Sequence, residues 1–290
     1  MESRIESVED ALMTHLWVTH RRRTQVLATI AIVFELCAIA GLVVAAFALG
    51  SLETFVSNAT GVVLVLSLPI APFLIAYGLA RRVVQKQFYK EIAASYGFAY
   101  SESAAMNTVT GQIFSFGHSR RLADVFSGTY EGRPTRFFTF HYTTGSHKHR
   151  TYHQMLVWEV ECAVPMLDLL VRPKRWSGAR DWSPHGTRIL RLEGPFNDQF
   201  DVYTSHEMEV EALTVLDPAF MASYMDSFGS YGFECVGTKI YIFSLHSLPQ
   251  SRTAFEETFK LIDILYDHLV PTLKNVSDDV VALREAYKRT

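Results

Sequence analysis

Cysteine is scarce: the chain holds Cys37, Cys162 and Cys235 and no CxxC spacing, which argues against a disulfide framework or a cysteine zinc site and for buried thiols. An excess of one charge sign is missing too. With 27 Lys and Arg against 30 Asp and Glu, there is no broad basic field for nucleic acid. The chain has no G-x-S-x-G elbow, kinase set or dinucleotide fingerprint. His206-Glu207 opens like a zinc-protease HExxH helix, yet the second ligand position is Val210. Gly232 to Lys239 counts like a phosphate loop, but Lys and Thr are exchanged and the segment reads as a hairpin. No cofactor is implied.

What the chain has instead is two long apolar runs, about 26–49 and 61–80, with no Lys or Arg inside either. Each is long enough for a helix crossing a hydrocarbon layer of about 30 Å. Arg21, Arg22 and Arg23 precede the first run and Arg81 and Arg82 follow the second, the arrangement expected of membrane-surface contacts on the cytoplasmic side. The prediction is a cytosolic arm or interfacial helix over 1–24, a transmembrane hairpin over 25–82 and a cytosolic α+β domain over 83–290. It places a multi-pass protein in the inner or plasma membrane with both termini cytoplasmic. Ala46-Phe47-Ala48 resembles a cleavage site, but the apolar run before it is far longer than a signal core of about 7–15 residues.

Helical spacing of Val84, Phe88, Ile92 and Tyr96 up to Gly97 predicts a helix continuing past the second run. From Asp124 the period becomes two. Segments 124–130, 135–143 and 151–162 read as consecutive strands, with a turn at Glu131-Gly132 and a polar loop over 144–150. Further strands are expected at 166–171, 189–193, 200–204, 232–236 and 239–245. Helices are expected at 207–213, 218–228 and 254–268, the second capped by Asp217 before Pro218. Runs of strands followed by helices argue an α+β fold with an antiparallel sheet and packed helices, after a two-helix transmembrane hairpin.

Several stretches carry a family resemblance: Phe88-Tyr89-Lys90-Glu91-Ile92 to Tyr96-Gly97-Phe98, Phe126-Ser127-Gly128-Thr129-Tyr130-Glu131-Gly132, and Phe200-Asp201-Val202-Tyr203. The most specific is Leu216-Asp217-Pro218-Ala219-Phe220-Met221. In these the chain resembles the bacterial DUF3137 family of membrane proteins of unknown function. The resemblance implies a membrane-attached domain and supplies no catalytic residue.

Candidate chemistry is sparse. Glu35, near the middle of the first apolar run, is an intramembrane polar candidate: an ion site, a contact fixing helix pairing, or a protonated acid bonded to a neighbouring helix. Asp201, His206 and Glu207 are weak acid–base candidates. His147 and His149 are weak metal candidates in a hairpin that also holds His141 and His153, with Lys148 and Arg150 interleaved among them to repel a cation. The same tip, with Arg120, Arg121 and Arg133, could touch anionic headgroups. The reading that follows is a noncatalytic interaction or scaffold domain. Its expected partners are the lipid bilayer and a membrane or cytosolic protein, with a homo-oligomer open. The alternatives are an enzyme with an acid–base site in the cytosolic domain and an accessory subunit of a transporter.

Overall fold

The computed structural model describes residues 7–9, 70–163, 165–176 and 182–275. The chain divides into two compact units, one of residues 1–89 with 250–252 and one of residues 90–249 with 253–290. Helix α1 (Ile70–Ser95) starts in the first unit. In that unit Ser7 bridges Ser251, the Val8 N–H donates to Gln250 O at 2.9 Å, and Arg81 Nη2 donates to Gln250 Oε1 at 3.1 Å. The helix stops where the sequence predicts. Gly97 takes φ +72° and the Phe98 N–H turns back to Ala93 O at 2.8 Å, a left-handed cap that a Cβ would strain.

The second unit is organised by one nine-stranded antiparallel sheet. Its strands are β1 (Ala99–Ala104), β2 (His118–Tyr130), β3 (Arg133–Thr144), β4 (Thr151–Glu161), β5 (Leu169–Pro173), β6 (Arg188–Leu190), β7 (Phe200–Thr204), β8 (Tyr231–Val236) and β9 (Lys239–Ser244). Their spatial order is β1-β2-β3-β4-β9-β8-β5-β7-β6. The meander is set by short turns: Glu131 and Gly132, at φ +48° and +78°, close β2 onto β3 as a two-residue hairpin whose twist matches the strands. Helices α2 (Phe196–Gln199), α3 (Glu209–Val215), α4 (Pro218–Phe228) and α5 (Arg252–Asn275) follow in chain order. The Asp217 carboxylate accepts the Phe220 N–H at 2.8 Å, the predicted cap of α4.

Both sheet faces are covered. On one, Phe126 stacks on Phe137 at 4.1 Å, and Phe137 meets Phe255 and Phe259 of α5. On the other, Phe138, Phe140, Tyr142, Val157 and Phe243 form a cluster with Val109, Ile113, Phe114 and Phe116 from residues 105–117, a strap laid across the strands.

This architecture corrects the expected fold class. A single antiparallel sheet dominates, not an α+β domain behind a two-helix transmembrane hairpin. No helix among the described residues is long and apolar enough to cross a membrane. The multi-pass description and the inner-membrane placement with both termini cytoplasmic are corrected on the same finding. The arm over 1–24, the run 26–49 and residues 61–69 of the second, Glu35 and Arg21 to Arg23 all lie outside the described residues, apart from residues 7–9.

Candidate functional site

A row of charge runs across the covered face beneath the strap. Strand register aligns Tyr203, Leu170, Glu234, Tyr241, Glu159 and Arg136 across β7, β5, β8, β9, β4 and β3, and side chains at paired positions share a face. Polar groups in such a place must be hydrogen-bonded to be tolerated.

Glu234 is the centre of the row. Its Oε1 accepts the Gln112 N–H at 2.5 Å and its Oε2 the Ile113 N–H at 3.0 Å, so each oxygen takes a bond from the strap. Burial pushes its pKa up to about 7, against the pull of these two backbone donors and with added repulsion from Asp168. The approach is close enough to require glycine: a Cβ on Gly111 would sit 2.6 Å from Glu234 Oε2. One position along the row, the Thr110 N–H donates to the Tyr241 hydroxyl at 3.3 Å. Farther on, Arg136 Nη2 donates to Thr108 Oγ1 at 3.2 Å while its guanidinium lies 3.7 Å from Glu159. Lys239 completes this end with a 2.7 Å bond to Glu159 Oε1. Three polar clips thus hold one strap.

At the other end Arg172, only 2 % exposed, donates to Asp201 Oδ2 at 2.5 Å, to the Tyr203 hydroxyl at 2.9 Å and to Trp182 O at 3.2 Å. Lys174 Nζ lies 3.9 Å from Asp201 Oδ1. Burial raises the Tyr203 pKa, partly offset by the Arg172 charge. A cavity of about 160 Å³ is lined by Glu234 together with, among others, Asp168, His185, Thr187 and Ser205.

The sequence candidates do not converge. Asp201 belongs to the Arg172 ion pair. His206 is exposed on the turn His206–Met208, its Nδ1 3.2 Å from Arg188 and 3.4 Å from Glu209, and Glu207 is exposed beside it. None of the three lines the cavity beside Glu234. His147 and His149 lie exposed on a 3-10 turn, and among the described residues no group of three or more His, Cys, Asp or Glu could hold a metal ion. Arg81 and Arg82 are exposed on α1. Cys162 and Cys235 are free buried thiols, both pushed up in pKa by burial. Sequence reasoning missed Glu234 and Arg172. The available signal was a lone charge inside an otherwise apolar strand, as in Leu169-Leu170-Val171-Arg172 and Phe233-Glu234-Cys235.

No family model and no curated protein matches the chain. Among solved structures it is similar to the crystal structure of the mycobacterial trehalose monomycolate transport factor A, TtfA. The likeness is 16 % identity and a TM-score of 0.44, covering 63 % of this chain and 92 % of that one, and at that level it carries no argument about ligand or partner.

Proposed function

We propose that the sheet unit is a noncatalytic binding module, a domain that works by presenting a fixed surface to a partner. The observation that supports this most directly is the state of Glu234. A buried carboxyl with its pKa near neutrality is what a general acid or base requires, yet here both oxygens hold the backbone of the strap. The other acid of the site, Asp201, is likewise committed to Arg172. His206 and Glu207 stand in solvent on a different turn. Glu234 holds the strap, Asp201 pairs with Arg172, and His206 and Glu207 lie apart from both, so these groups do not converge on one proton-transfer site.

The proposal extends to the DUF3137 resemblance. Its most specific stretch, from Leu216 to Met221, is the cap and first turn of α4, a role in folding and not in chemistry. The test is native mass spectrometry of the full chain isolated with its partners. A stoichiometric complex that survives His206→Ala and Glu207→Ala is expected. A lone chain that hydrolyses chromogenic ester or phosphate substrates, and loses that activity in His206→Ala at unchanged thermal stability, would contradict the reading.

A further inference from the structure

Acidic residues are absent from two adjoining stretches of the sheet unit. Residues 103–123 and 132–158 contain no Asp or Glu and hold six Arg or Lys and five His. The fold gathers the exposed part of this charge at one end of three strands. Pairing of β3 with β4 continues out to Thr144 and Thr151, whereas β4 pairs with β9 only as far as Leu156 and Ser244. Residues 151–155 therefore run past the end of β9, a projection of about 16 Å at strand rise. His118, Arg120, Arg121, His147, Lys148, His149 and Arg150 are exposed on it.

The tip has a defined shape. Gly145 is at φ +76° with His149 O only 2.1 Å from where a Cβ would stand, and His118 Nε2 donates to Gly145 O at 2.8 Å. Arg120 is steered by a 2.9 Å bond to Phe114 O. Among the described residues Arg121, Lys148 and Arg150 have no acidic partner, since the ion pairs formed there use other cations. The nearest acid along β2, Asp124, accepts from the Tyr100 hydroxyl at 2.6 Å. Tyr152, 79 % exposed, stands beside these charges.

We propose that this projecting end of β2, β3 and β4 docks on an anionic phospholipid surface, with Arg120, Arg121, Lys148 and Arg150 facing the headgroups and Tyr152 at the interface. The inference rests on reading the unit as a binding module and gives it one partner class. Cations held within a Debye length of a negative leaflet are attracted to it without needing a pocket for each headgroup. Tyrosine favours the boundary between headgroup and acyl chain. A single-stranded nucleic acid would instead call for a groove with several stacking aromatics, and the exposed tip residues 145–152 include one aromatic, Tyr152.

The experiment is cosedimentation of the full chain with phosphatidylcholine vesicles and with vesicles containing phosphatidylglycerol, so that any apolar contribution is common to both. The native chain is expected to prefer the anionic vesicles, with the preference falling as salt rises. Arg121→Gln with Lys148→Gln and Arg150→Gln should reduce that preference about 100-fold, at about fivefold per cation. Lys90→Gln with Arg191→Gln and Lys260→Gln removes equal charge from other exposed positions and should leave most of the preference. No preference in the native chain, equal loss in both triple variants, or loss of thermal stability in the tip variant alone would overturn the inference. So would tighter binding of single-stranded RNA that is lost in the tip variant. None of these results alters the native-complex test of the binding-module reading, so the two fail separately.

Discussion

The Glu234 carboxylate holds the Ile113 backbone N–H at 3.0 Å across 121 positions of sequence. That bond joins β8 to the strap over the sheet, and with the neighbouring Gln112 contact it turns an isolated buried acid into a fastening. Burial raises the cost of the charge while the two donors lower it, and the carboxyl ends near pKa 7 because burial wins.

Stability should therefore fall as pH rises through neutrality. The unfolded carboxyl titrates near 4.5 and the folded one near 7, so between those values the folded state binds more protons than the unfolded state. The contribution of Glu234 is fully present below about pH 4.5 and lost above about pH 7, on the order of 3 kcal/mol. Urea unfolding from pH 4.5 to 8.5 should show this slope in the native chain relative to Glu234→Gln. A difference between the two that does not change with pH would contradict it.

Arg172→Ala should destabilise the sheet by about 3 kcal/mol, because it leaves the Asp201 charge only Lys174, 3.9 Å away, and removes the hydrogen bonds to the Tyr203 hydroxyl and Trp182 O. Adding Asp201→Asn to that variant should recover part of the loss. Additive costs in the double-mutant cycle would mean that the pair is not coupled.

Gly111→Ala has a steric cost and little backbone cost, since Gly111 sits at φ −66°, an angle alanine readily adopts. The new methyl meets Glu234 Oε2 at 2.6 Å and should cost about 1–3 kcal/mol. Combining it with Glu234→Ala should remove most of that penalty, as measured by thermal unfolding.

His206→Ala and Glu207→Ala lie in solvent on a turn, and each should change stability by no more than about 0.5 kcal/mol. A larger loss in chemical denaturation would assign that turn a role in the fold.

The central meander was legible because Phe138, Phe140 and Tyr142 in β3, and Leu156, Trp158 and Val160 in β4, recur two positions apart between turn segments, and α4 because Asp217-Pro218 is a cap followed by a fixed φ. β1 was not, since Ala99–Ala104 is mostly exposed and carries no apolar alternation. The first half of β2 was hidden by its polar run and by irregular register between His118 and Arg121 and between Ala123 and Phe126, which shifts the faces that a period-two reading counts. The apolar runs at 26–49 and 61–80 were read from their length and their flanking arginines, and of these only residues 70–80, the start of α1, fall among the described residues. Asp201 was singled out as an acid–base candidate, but its partner Arg172 lies 29 positions away. Pairings of that kind are made by sheet register and leave no mark on local spacing.

The most direct test of the fastening is amide hydrogen exchange read by mass spectrometry on peptides covering residues 105–117. In Glu234→Ala the amides of Gln112 and Ile113 should lose protection by at least tenfold while peptides from β3 and β4 keep theirs. Unchanged protection of the strap in a folded Glu234→Ala chain would show that the carboxyl does not hold it, and would return Glu234 to the list of groups free for chemistry.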